Sequence, residues 1–392
     1  MRLKAIVALT AALLLAAVLA TAAAAAPPDE WLQAGHDAGH TYADLGETQL
    51  TVAALKAMPA YPGFARSTVD VGLINVSSPL IDGESMYVTS QAWDGESGRL
   101  DRFDIATETK LWTRALSCFD PPVVSSGWIL MEDKCTASAP TPAQLISQAD
   151  GTVKDFAADQ LGIVDRGVGY FTNYGGGVYQ EPWYVTAQDL ATKNVLWQKT
   201  SSSTIDVTVP VLAAGATLYV QHNQSIEAWD KTTGDVRWSR TPNEHVTPFA
   251  ATPGAIYVRW QNGDLHGIGR WDASDGSTNW RIRTPAIDTP FALTPRVVYE
   301  TGPDFLAARS ATDGKLLWER SGFSWANLAQ PVYAAGVVWA FQQAGGLEAY
   351  NARNGNEVAY APSAPPGPIT IAEGHVFIAS PDGRVFIYQL PS

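Results

Sequence analysis

Short apolar runs of four to eight residues, rich in Val, Tyr, Phe and Trp, recur along the chain and are broken by turn residues. This is the pattern of β-strands joined by tight hairpins. Ala228-Trp-Asp-Lys-Thr-Thr-Gly-Asp-Val-Arg-Trp238, Arg270-Trp-Asp-Ala-Ser-Asp-Gly-Ser-Thr-Asn-Trp280 and Ala308-Arg-Ser-Ala-Thr-Asp-Gly-Lys-Leu-Leu-Trp318 align without gaps. Each places a Gly four residues before a Trp. Degenerate copies end at Trp112 and Trp197 without the Gly. Two more keep Asp150-Gly151 and Asn354-Gly355 but have Asp155 and Ala359 at the Trp position. The period is about forty residues, long enough for four short strands. Asp-Gly, Thr-Gly and Asn-Gly supply the positive φ of a tight hairpin.

A second series of turns, from Gly83–Tyr87 to Gly374–Phe377, occurs eight times. A single four-stranded sheet cannot cover both its faces, but copies stacked radially cover one another. The chain is therefore expected to be all-β, an eight-bladed β-propeller of four-stranded antiparallel blades. Its eighth unit ends after three strands. The spare strand is expected in Leu55-Lys-Ala-Met-Pro-Ala-Tyr61, completing the last blade and closing the ring. Pro59 suits an outer strand, where no N–H is needed. Residues 27–62 are thus read as an opening segment with the closing strand, and 63–392 as about eight repeats of one domain.

The spacing of Trp and Gly, with a polar or acidic residue four before the Gly, resembles the pyrroloquinoline-quinone (PQQ)-like β-propeller repeat. Trp31-Leu-Gln-Ala-Gly-His-Asp37, followed by Leu50-Thr51 and Leu55-Lys56, resembles that superfamily's opening segment. The superfamily includes quinoprotein dehydrogenases and BamB-type assembly scaffolds, so the resemblance speaks for architecture more than for activity. It implies that Trp112, Trp197, Trp238, Trp280 and Trp318 dock between blades as packing residues. It also raises PQQ with calcium as a cofactor. In the dehydrogenases the quinone rests on a disulfide of adjacent cysteines, and Cys118 and Cys135 are not adjacent. The expectation is accordingly no cofactor and no catalytic residues.

Composition narrows the setting. Arg2 and Lys4 precede the apolar run Ala5–Ala20 and an Ala-rich stretch to Ala26, the form of a signal peptide over residues 1–26. Without Arg2 and Lys4 the formal charge moves from −13 to −15, which argues against nucleic-acid binding and against anionic membranes. No later run is long enough to span a bilayer, and no Cys lies near the cleavage region to carry a lipid. A soluble secreted or periplasmic monomer is expected, with Cys118 and Cys135 paired as a disulfide in an oxidising compartment.

Candidate chemistry is sparse. His36 and His40 flank Gly39 and lack an identifiable third ligand, so they are read as part of a pinned segment and no metal site is expected. Asp272–Gly276 mimics part of a calcium loop but recurs as hairpin chemistry. Thr172–Trp183 is rich in Gly and aromatic residues, and Tyr174, Tyr179 and Trp183 are candidate recognition residues. The sequence reads as a binding or scaffolding propeller that takes a protein, carbohydrate or small-ligand partner through loops at one face. The competing readings are a PQQ-dependent dehydrogenase and a recognition module of a cell-envelope system.

Overall fold

The computed structural model describes residues 30–391 except 60–63, 94–96, 117–120, 132–142, 156–159, 173–183, 201–207, 223–224, 285–290, 303, 323–329, 342–345 and 363. Eight sheets form an eight-bladed β-propeller. In blade 1 the strands, here a to d, are Leu80–Asp82, Ser85–Gln91, Gly98–Asp104 and Lys110–Leu116. Blades 2 to 7 follow at 123–155, 160–200, 208–240, 245–283, 291–321 and 332–361, each a four-stranded antiparallel meander. The a strands lie innermost, around the axis, and touch between blades 1 and 2, 3 and 4, 4 and 5, 6 and 7, and 7 and 8. The d strands lie outermost and expose residues such as Leu196 and Leu317.

Blade 8 closes the ring. Its strands Ile369–Ala372, His375–Ser380 and Arg384–Gln389 are completed by Ala65–Asp70, which pairs antiparallel with Arg384–Gln389 from Ala65↔Gln389 to Asp70↔Arg384. The closing strand therefore lies downstream of the stretch expected from the sequence. Val52–Ala57 is instead a helix, capped by the Thr51 hydroxyl, which accepts from the Ala54 N–H. Residues 60–63, the end of the expected strand, are outside the described residues. The reason is visible in the side chains. Leu55 is spaced to bury one helical face, and it packs with Leu50, Ala359 and Ala361 in the largest apolar cluster. In Ala65–Asp70, by contrast, exposure alternates as a half-buried strand requires.

The repeated Trp and Gly are partners across blades. The indole N–H of Trp112 donates to Gln148 O (3.0 Å), Trp197 to Lys231 O (2.7 Å), and Trp238 to Ala273 O (2.9 Å). Trp280 donates to Ala311 O and Trp318 to Ala352 O, both at 3.0 Å. Each indole lies on the turn Gly of the next blade: Gly151, Gly234, Gly276, Gly314 and Gly355 respectively. Those glycines all have positive φ, and a Cβ there would meet the ring at 2.6–3.0 Å.

This pairing explains the degenerate repeats. Lys193 replaces the turn Gly of blade 3, and the preceding blade 2 has no docking Trp. Glu108 replaces it in blade 1, and the preceding closing strand has none. Blade 7 carries Ala359, and blade 8 has no c–d turn to receive an indole. At seams 2/3 and 8/1 the Gly and the Trp are therefore absent together. Blade 2 differs further. The bulge found in the c–d pairs of blades 1 and 3 to 7 is missing there, and Lys154, not Asp155, stands opposite Leu145. Asp155 thus occupies the Trp position by spacing but not by register.

Candidate functional site

The mouth of the central channel, on the side of the a–b turns, is built by residues 31–50. This segment runs around the inner rim as a belt and bonds to all eight blades in order. Trp31 pairs with Ile81 of blade 1. The carbonyl of Leu32 accepts from Val124 N of blade 2 (2.7 Å), and Gln33 Nε2 donates to Val164 O of blade 3 (3.0 Å). The carbonyls of Ala38, Gly39 and Thr41 accept from Ala213, Ala251 and Leu293 of blades 4, 5 and 6 at 2.7, 2.8 and 2.7 Å. Ala43–Asp44 then adds a short parallel strand to Tyr333–Ala334 of blade 7. Finally, Glu47 Oε2 accepts from Gly374 N of blade 8 at 2.8 Å.

Local chemistry keeps the belt tightly curved. Gly39 passes so close to blade 5 that a Cβ would lie 2.3 Å from Ala251 O. His36, His40 and Tyr42 have φ of 78°, 50° and 51°, left-handed values that non-glycine residues hold only when surroundings over-determine them. The Asp37 carboxylate supplies part of that constraint by accepting from Gly39 N, Thr41 N and the Thr41 hydroxyl at 3.0, 3.1 and 2.8 Å. Burial alone would raise the Asp37 carboxyl, but its contacts with His36 and Thr41 outweigh burial and hold it below the usual value. Glu47 anchors the far end. Its Oε1 accepts from Gln49 N and, at 3.0 Å, from Leu50 N.

Outside the belt lies a bowl of about 350 Å³, floored by Leu32, Ala38 and Thr41 and rimmed by the a–b turns at Arg166, Gly215, Pro253 and Pro295. Leu45 stands in its wall and is 46% exposed. The two sequence-marked histidines do not converge. His36 faces the bowl between Asp37 and Asp44, 3.7 and 3.8 Å from their carboxylates. His40 faces the channel, beside Pro248, Phe249 and Arg259. Burial lowers the His40 imidazole below its usual value, against an opposing pull from Asp37.

Among the described residues no three His, Cys, Asp or Glu side chains come together as a metal site. Cys118, Cys135, Tyr174, Tyr179 and Trp183 lie outside the described residues. The five docking tryptophans sit at blade seams, away from the bowl. The belt itself was not legible as a site: Trp31–Leu50 has no regular alternation, and its main signals, Gly39 and Glu47, act through contacts distant in sequence.

A ring of eight four-stranded blades with Trp–Gly seams defines a PQQ-like β-propeller. The chain belongs to the PQQ-like propeller family whose profile is described as outer membrane protein assembly factor BamB, which matches residues 162–240 and 240–391. No curated protein is matched significantly by the sequence. Among solved structures, BamB from Moraxella catarrhalis superposes with a TM-score of 0.54 at 14% identity, covering 83% of this chain and 99% of that one. The quinohemoprotein alcohol dehydrogenase from Comamonas testosteroni gives 0.61 at 15% identity, covering 94% and 82%. The computationally designed Ika8 protein gives 0.61 at 12% identity, covering 82% and 98%. At such identities the likeness establishes the fold alone. Among the described residues, no helix is long and apolar enough to cross a membrane.

Proposed function

We propose that this chain is an exported, non-catalytic recognition propeller that holds a protein partner at the mouth of its ring. The observation that carries this reading is the belt. It lines one end of the axial channel with the chain's own backbone and leaves in front of it a bowl framed by the a–b turns. A rigid concave surface with apolar walls and a few fixed polar groups is suited to recognition. The family match to an assembly factor favours a protein over a small substrate. A glycan is the competing occupant, and a quinone-dependent dehydrogenase is the competing activity.

A photo-crosslinking residue at Leu45 tests this in the intact envelope, with the same residue at Leu316 on the outer rim as control. The expected result is a defined protein adduct from Leu45 that is absent from Leu316 and is suppressed by Pro253→Arg in the bowl rim. Absence of a Leu45 adduct, together with stoichiometric PQQ uptake and dye-linked alcohol oxidation, would overturn the reading in favour of the enzyme. Amino-terminal sequencing of the secreted chain checks export, with a start close to Pro27 expected.

A further inference from the structure

We propose that the seam between blades 2 and 3 is the opening point of the ring, the junction that separates before any other. Among the described residues, three of the eight seams lack a Trp–Gly pair: 2/3, 7/8 and 8/1. The last two are secured otherwise. The closing strand joins blade 8 through six residue pairs. The belt, the helix Val52–Ala57 and blades 7, 8 and 1 share the largest apolar cluster. Among the described residues seam 2/3 has neither device, and the belt bonds at Leu32 and Gln33 cross it as belt bonds cross the other seams from 1/2 to 7/8.

Three observations meet at this seam. The c–d bulge of blade 2 is missing, so Lys154 stands in register where other blades present an indole. The turn position that receives an indole elsewhere is Lys193, whose backbone keeps the left-handed φ of 62° and whose ammonium lies 5.7 Å from the Trp128 ring centroid. An exposed cation–π contact of this kind is weaker than a buried indole that both packs and donates a hydrogen bond. Third, a cavity of about 140 Å³ opens on the channel side between the two blades, lined by Pro122, Met131, Leu161 and Ile163 with Gln33 and His40 of the belt. A small apolar cluster, including Leu130, Leu145, Val164 and Phe171, still spans the junction. In a ring of repeats the stability of each junction depends on its own two faces, so a junction with an open cleft and no docked indole separates first.

Opening at this point would expose the channel beneath the belt without breaking the closing strand. The experiment is hydrogen exchange, read by mass spectrometry on the whole protein. Peptides over Trp128–Met131, Gln144–Ser147 and Val168–Thr172 are expected to exchange at least tenfold faster than their counterparts at Thr217–His222, Ala255–Asn262 and Val297–Thr301. Equal or slower exchange in blades 2 and 3 overturns the proposal. Two variants separate the seam from general instability. Lys193→Gln should accelerate exchange in blades 2 and 3 only. Trp238→Phe removes one indole N–H and should bring seam 4/5 towards the behaviour of seam 2/3. If Trp238→Phe leaves exchange at seam 4/5 unchanged, docked indoles do not set junction strength and the proposal fails.

Discussion

Trp238 and Gly276 lie in different blades yet form one structural unit. The indole donates to Ala273 O at 2.9 Å, and a Cβ on Gly276 would sit 2.9 Å from the same ring. Gly276 also has φ 71°, so both its missing side chain and its backbone freedom are used. Gly276→Ala should destabilise the protein by about 2–4 kcal/mol through overpacking and backbone strain. In a Trp238→Ala background the same change should cost appreciably less. Urea melts of the four chains of this double-mutant cycle give the coupling directly, and strictly additive effects would contradict a shared unit.

The belt's last attachment gives a second prediction. Glu47 is buried and accepts from the backbone N–H groups of Gln49, Leu50 and Gly374. Glu47→Ala leaves three donors without that acceptor, and a loss of roughly 3 kcal/mol or more is expected. Because the damage is local to the belt, limited proteolysis should cut within residues 31–50 before it cuts any blade. Uniform cleavage throughout the ring would show that the belt is not a separately released element.

Glu348 gives the third, in pH. Burial, with a smaller contribution from Glu357, raises its carboxyl to about 7. The folded protein therefore favours the protonated form more strongly than the unfolded chain does. The stabilising contribution is complete below the ordinary carboxyl value near 4.5 and is lost as pH rises through about 7. Glu348→Gln, neutral at every pH, should match the parent near pH 5 and exceed its melting temperature at pH 8. Parallel melting curves across this range would rule the shift out.

A fourth prediction concerns closure. Ser67→Pro with Val69→Pro, within Ala65–Asp70, would break the pairing with Arg384–Gln389 while keeping the belt and the helix, and would leave the outer edge of Arg384–Gln389 unpaired. Such an edge is a template for pairing with another molecule. Size-exclusion chromatography should show oligomers or aggregate, and a monomeric, cooperatively melting product would contradict the role of the strand.

The ring was legible because its local and global requirements coincide. The turn that needs positive φ at Gly276 is also the surface that needs room for Trp238, so one short repeat encodes both hairpin and seam. The closing strand was misplaced by several residues, because Leu55 and Leu50 suit a buried helical face as well as a strand, and periodicity over so short a run does not separate them. The bowl was not legible for a different reason. It is made where residues 31–50 meet a–b turns as distant as Pro295, and no local pattern records such an encounter. The missing bulge of blade 2 likewise concerns register, which Asp155 at the expected spacing conceals.

The belt also sets the order in which the molecule can be finished. Residues 31–50 precede all eight blades in the chain, but their partners extend from Ile81 to Gly374, and Ala65–Asp70 waits for Arg384–Gln389. This early segment therefore finds its last partner only when nearly the whole chain is available. Intermediate blades can form as hairpins accumulate, whereas the circle must remain an open arc until the final strands emerge. Such long-range pairings make assembly slow, and they leave blade 1 with an uncovered flank until the last strands are in place.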